Sequence, residues 1–137
     1  MAIRRTTVMA VAALLGAAGT VVLTATSAGA DNLTCLAPVD TVQISSNEAI
    51  GYDKAGDIAD ATVQDGDTTY YQNVARQTCY FNPNVPYTAY EDAISGFTYV
   101  NAALSANQAG NASAATADGQ TAATYLNAAI AILYKGP

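Results

Sequence analysis

The chain contains no histidine and no tryptophan. Without histidine there is no ordinary Ser–His or Cys–His nucleophile pair. The common His-containing zinc sites are excluded with it. No Gly-rich phosphate loop and no dinucleotide fingerprint occurs. Strands find little support, because no clean two-residue alternation appears and Ala, Asp, Asn and Gly are poor strand formers. Basic residues are scarce, with five Lys and Arg against eleven Asp and Glu.

Two of those five bases, Arg4 and Arg5, stand at the start. An uncharged run of mainly Val, Ala, Leu and Gly follows from Val8 to Leu23, and small residues lead to Ala28-Gly29-Ala30. A basic start, an apolar middle and a small-x-small end are the three parts of a secretory signal peptide. The run is shorter than the roughly 20 residues a membrane span needs. The residues after Arg4-Arg5 match a twin-arginine signal poorly, so the general secretory route is expected. Residues 1–30 are read as a cleaved signal, and 31–137 as one small secreted domain.

Cutting there changes the charge. Residues 31–137 keep only Lys54, Arg76 and Lys135 against all eleven acids, a formal charge of −8. Such a surface repels phosphate backbones and anionic membranes, so neither nucleic acid nor membrane is an expected partner. A protein with a basic surface is. In composition, the signal and alanine-rich body are similar to small exported proteins of high-GC Gram-positive bacteria.

Both cysteines, Cys35 and Cys79, fall in the domain. An even count in an exported chain predicts a disulfide. Closing a loop of that length stabilises a fold by about 4 kcal/mol in the chain-entropy model.

The fold class expected is all-α: a small antiparallel bundle of about four helical segments, with an extended N-terminal segment tethered by the disulfide. Asp31 to Val42, with Pro38 and little periodicity, reads as that extended segment. Ser45-Ser46-Asn47-Glu48 reads as a capping box opening a helix through Val63. Asp65-Gly66-Asp67 reads as its end, with a second helix from Asp67 to Cys79. Phe81-Asn82-Pro83-Asn84-Val85-Pro86 reads as a loop. Thr88-Ala89-Tyr90-Glu91 opens a third helix with Tyr90, Ile94, Phe97, Asn101 and Leu104 in its stripe, stopped by Gly110. The fourth draws on Ala112 to Tyr134, burying Ala122, Leu126, Ala129, Ile130 and Leu133.

The chemistry that remains is carboxylate chemistry. Asp53, Asp57 and Asp60 have a spacing that would put them on one helix face, where they could hold a hard cation or act as an acid–base pair. A solvated helix face is the simpler reading, and no metal or other cofactor is expected. Asp65-Gly66-Asp67 lacks the later ligands of a calcium loop. Arg76 is expected to pair with a nearby acid.

Nine tyrosines are the most distinctive feature. Interfaces favour tyrosine, which joins an apolar ring to a polar tip. Tyr80, Phe81, Asn82, Val85 and Tyr87, on a loop anchored by Cys79, are the candidate partner-contact residues, although the same rings could simply plug the bundle end. The expected function is a non-catalytic interaction protein: an adaptor, an extracellular assembly subunit or an inhibitor. A helical carrier of an apolar ligand such as haem or lipid is the alternative, since tyrosine can ligate haem iron. A carboxylate-dependent enzyme is a second alternative.

Overall fold

The computed structural model describes residues 32–136. It also describes two separate two-residue strands, β1 (Ala12–Ala13) and β2 (Val21–Val22), which pair antiparallel. The rest of the expected signal peptide lies outside the described residues.

The domain is a bundle of four helices: α1 (Leu33–Ala55), α2 (Ile58–Tyr80), α3 (Tyr87–Gln108) and α4 (Ala112–Lys135). Helix ends leave backbone groups without intrahelical partners, and the sequence supplies the missing ones. Gly56 takes the left-handed conformation after α1, at φ 79°, and its N–H donates to the Asp53 carbonyl. Asp57 then caps α2, its carboxylate accepting from the Asp60 N–H at 3.2 Å. Asn111 caps α4 in the same way, through the Ala114 N–H at 3.1 Å. Short connections make sequential helices antiparallel neighbours. α1 packs on α2 and α4, and α3 packs on α4 and α2, leaving α1 and α3 as the diagonal pair.

One spacing organises all four helices. Buried residues recur after four and three positions alternately. α1 buries Cys35, Val39, Val42, Ser46, Ala49 and Asp53 on this repeat. α2 buries Ala61, Asp65, Thr68, Gln72, Ala75 and Cys79. α3 buries Ala89, Ala93, Gly96, Val100, Ala103 and Asn107. α4 buries Ala115, Gly119, Ala122, Leu126, Ala129 and Leu133. A seven-residue repeat of this kind is the period of left-handed bundles with knobs-into-holes packing.

Many core positions are Ala or Gly, which lets the helix backbones approach. Leu126 of α4 fills the space over Gly96, where an added Cβ would lie 2.6 Å from its Cγ and Cδ2. Ile50 of α1 covers Gly119 in the same manner, at 2.7 Å. Phe97, Leu126, Ile130 and Leu133 are the largest fully buried side chains.

Cys35 and Cys79 form the expected disulfide, with an S–S distance of 2.10 Å. It joins the first turn of α1 to the last turn of α2 and closes one end of the bundle.

The four-helix, all-α architecture agrees with the sequence reading, but the first two helices begin and end elsewhere. Residues 33–42 are helical rather than extended. Cys35, Val39 and Val42 already follow the repeat, and α1 runs through Pro38 although proline there has no N–H to donate to the Thr34 carbonyl. Ser45 to Glu48 lies inside α1, with Ser46 buried in the core instead of capping. Asp65-Gly66-Asp67 lies inside α2, and the true break is Gly56-Asp57. The stripe of α3 is displaced by about one position, with Phe97 alone of the expected residues fully buried. Ala89, Ala93 and Gly96 face inward, while Tyr90, Ile94 and Leu104 flank them half-buried and Asn101 is exposed. The buried stripe of α4 is the one expected.

Candidate functional site

At the disulfide end, the α2–α3 connection gathers aromatic rings. Tyr80 closes α2, Phe81 follows it, and Tyr87 opens α3 after Pro86. The prolines and Asn82 prevent helix from running through. The Val85 N–H donates to the Asn82 carbonyl at 3.1 Å, making a tight turn. Val85 is turned into the core beside Cys35 and Cys79, so it anchors the loop and cannot serve as a contact residue. Asn82 is half-buried.

The rings themselves stay outside. Phe81 is 78% exposed, Tyr87 65% and Tyr80 59%. Tyr80 meets Phe81 edge-on at 5.1 Å between centroids, and Tyr90 bridges Tyr80 at 5.3 Å and Tyr87 at 6.0 Å. Four rings thus form one connected surface cluster, braced by Val85 and the disulfide beneath. The sequence spacing places Tyr90 in the apolar stripe of the third helix. Its place here follows from the one-position displacement of that stripe. Glu91 and Asp92 lie on the next turn of α3, so acid borders the rings.

Tyr70 and Tyr71 stand on the outer face of α2 in edge contact at 5.3 Å. With Ala37, Pro38, Thr41 and Val74 they line a mainly apolar hollow of about 260 Å³ between α1 and α2.

Arg76 does not follow the ion-pair expectation. Its guanidinium carbon lies over the Phe97 ring, 5.6 Å from the centroid. That is the geometry of a cation–π contact.

Asp53, Asp57 and Asp60 do not share a helix face, because the chain breaks at Gly56 between them. Asp57 is the α2 cap, Asp60 is exposed, and Asp53 is buried on α1. Asp53 belongs to a different group. At the end of the bundle opposite the disulfide, Asp53, Asp65 and Asn107 meet from three helices. The Asn107 Nδ2 donates to Asp65 Oδ2 at 3.1 Å and to Asp53 Oδ2 at 3.4 Å. All three are buried, at 6%, 1% and 2% exposure respectively.

Burial pushes the Asp65 carboxyl up to about 7, against the pull of the Asn107 hydrogen bond and with the Asp53 charge adding to the rise. Burial raises Asp53 too. Charged groups without a partner of opposite sign are costly to bury.

A polar ladder continues from this group along α2. Gln72 Nε2 donates to Thr68 Oγ1 at 2.8 Å and to Asn101 Oδ1 at 3.1 Å, and Asn101 Nδ2 returns a bond to Gln72 Oε1 at 3.1 Å. It lies on the α2–α3 seam, where neighbouring helices touch least. The sequence reading missed the Asp53–Asp65–Asn107 group. Its signal is that all three fall on inward positions of the seven-residue repeat.

No protein-family model, curated protein or solved structure matches the chain.

Proposed function

We propose that the chain is a secreted, non-catalytic interaction protein whose contact surface is the aromatic cluster on the α2–α3 connection. The carrying observation is the exposure of Tyr80, Phe81 and Tyr87 together on a braced loop. Leaving three large rings in water forgoes burial worth about 25 cal/mol per Å² of apolar surface. Sequestering them inside a partner recovers it. The loop backbone loses little entropy on binding, since the disulfide and Val85 already hold it.

The bordering Glu91 and Asp92, and the formal charge of −8 over residues 31–137, favour a partner with basic groups around an apolar centre. An adaptor, an assembly subunit and an inhibitor all use such a surface.

The test compares the chain with a Tyr80→Ser/Phe81→Ser/Tyr87→Ser variant, both cross-linked in the culture medium of the secreting cell and read by mass spectrometry. Because these rings lie outside the core, the variant should keep its melting temperature within a few degrees. A partner joined to the native chain and lost from the variant supports the proposal. Identical cross-linked species from both chains would refute it.

A further inference from the structure

Three helices each give a core position at one bundle end to an oxygen-bearing side chain, and the group has more acceptors than donors. Asn107 supplies one NH2 group, shared between two carboxylates. The second oxygen of each carboxylate, Oδ1 of Asp53 and Asp65, and the single oxygen of Asn107, Oδ1, are buried without a hydrogen-bond partner. Each of these atoms shares its carbon with an atom that makes the contact, so each lies next to it. Unmatched buried acceptors are rare, because each forfeits its hydration.

We propose that Asp53, Asp65 and Asn107 form a binding site for a hard divalent cation of the calcium class. Two carboxylates balance the charge of one such ion. The donors are all oxygen, the chemistry preferred by calcium and magnesium over zinc or copper. Calcium accepts irregular sets of carboxylate and amide oxygens, whereas magnesium demands near-octahedral geometry and keeps several waters. A buried three-residue group suits the former.

Binding exchanges the two Asn107 N–H bonds for coordination, the carboxamide turning over to present Oδ1. The group lies near an exposed bundle end. Asp53 precedes the exposed Gly56-Asp57 turn by three residues, and Asn107 precedes the exposed Gly110-Asn111 turn by three. The site is remote in the fold from the aromatic cluster and does not depend on its role.

The test uses the chain 31–137 after chelation and dialysis. Its melting temperature is followed against calcium chloride up to about 10 mM, with magnesium and sodium chloride at matched ionic strength, and titration calorimetry gives the stoichiometry. One equivalent of calcium is expected to bind. The melting temperature should rise by about 10 °C at a hundredfold excess over Kd. Asp65→Asn preserves shape but removes one charge, and should abolish the saturable rise. Asp53→Asn provides the same comparison from another helix if the first variant folds poorly. No calcium-dependent rise, an equal rise with magnesium or sodium, or an unchanged rise in both variants would overturn the proposal.

Discussion

Two glycines in the middle of helices should respond in opposite directions to the same substitution. In the interior of a helix, alanine is favoured over glycine by about 1 kcal/mol, because glycine loses more backbone freedom on folding. Gly66 in α2 has no atom within 4 Å of an added Cβ, so Gly66→Ala should raise stability by up to about 1 kcal/mol. At Gly96 in α3 the new carbon would lie 2.6 Å from both Cγ and Cδ2 of Leu126, and 3.4 Å from the Ala122 carbonyl oxygen. Leu126 is completely buried, and its Cγ is a branch point close to the α4 backbone. It cannot withdraw without moving the helix. Overpacking of this kind costs about 1–3 kcal/mol. With the propensity gain set against the upper part of that range, Gly96→Ala should lower stability by about 2 kcal/mol. Urea unfolding followed by circular dichroism measures both, provided the m value is unchanged. The double variant Gly96→Ala/Leu126→Ala adds a sharper check, since removing the obstructing side chain should relieve the alanine penalty and leave a positive coupling between the sites. If Gly96→Ala is as stable as Gly66→Ala, α3 and α4 do not approach as closely as described.

The remaining predictions concern charge, cross-link and caps. Asp65 is raised to about 7, so between about pH 4 and 7 the folded chain holds a proton that the unfolded chain has released. Stability should therefore fall as pH rises through that window, by about 2 kcal/mol from pH 5 to pH 7.5 in chelator, and Asp65→Asn should flatten most of the slope. Raised carboxyls at Asp53 and Asp40 act in the same direction, so a profile that rises between pH 5 and 7 would contradict the burial of all three. Reducing the disulfide, or replacing it by Cys35→Ser/Cys79→Ser, should cost about 4 kcal/mol in the chain-entropy model, read as a lowered urea midpoint. Asp57→Ala and Asn111→Ala each remove a side-chain cap and should each cost about 1 kcal/mol in the same assay, whereas replacing the interior Ser45 should cost much less.

The helices were legible where hydrophobicity and burial coincide. α4 is the plain case, because its stripe of Ala122, Leu126, Ala129 and Leu133 carries the inward positions with apolar side chains throughout. α2 is the opposite case. Its inward positions include Asp65, Thr68 and Gln72, while Val63 and Tyr70 stand exposed on its outer side. An apolar-periodicity reading assigns the faces of such a helix wrongly and finds a break at Asp65-Gly66-Asp67 where the chain continues. α1 was shortened for a related reason: Pro38 and the polar Ser46 obscure a repeat that runs from Cys35 to Asp53. The disulfide followed from cysteine count and context. The aromatic loop was visible as composition, but the inward turn of Val85 and the inclusion of Tyr90 depend on tertiary packing.

The places where periodicity failed are informative about the molecule. Local rules and tertiary structure usually agree in a folded chain, and disagreement concentrates where something besides stability is retained. A bundle that needed only to fold would fill positions 53, 65 and 107 with Leu or Ala, as α4 does at the equivalent steps of its repeat. Replacing buried charge by well-packed apolar groups is often neutral or stabilising. Here three helices carry the polar alternative together, and they carry it at the end farthest from the covalent cross-link, where the chain has least to hold it closed. The disulfide end keeps its large rings outside, over Cys35, Cys79 and Val85, although Asn32 and Asp40 are buried in that half too. The chain thus places its stabilising chemistry inward at one end, under the surface proposed to bind a partner. At the other end it buries acceptors whose charge is balanced only by a proton or a cation. The two ends answer different physical demands, and a single requirement for a stable bundle accounts for neither the exposed rings nor the buried acids.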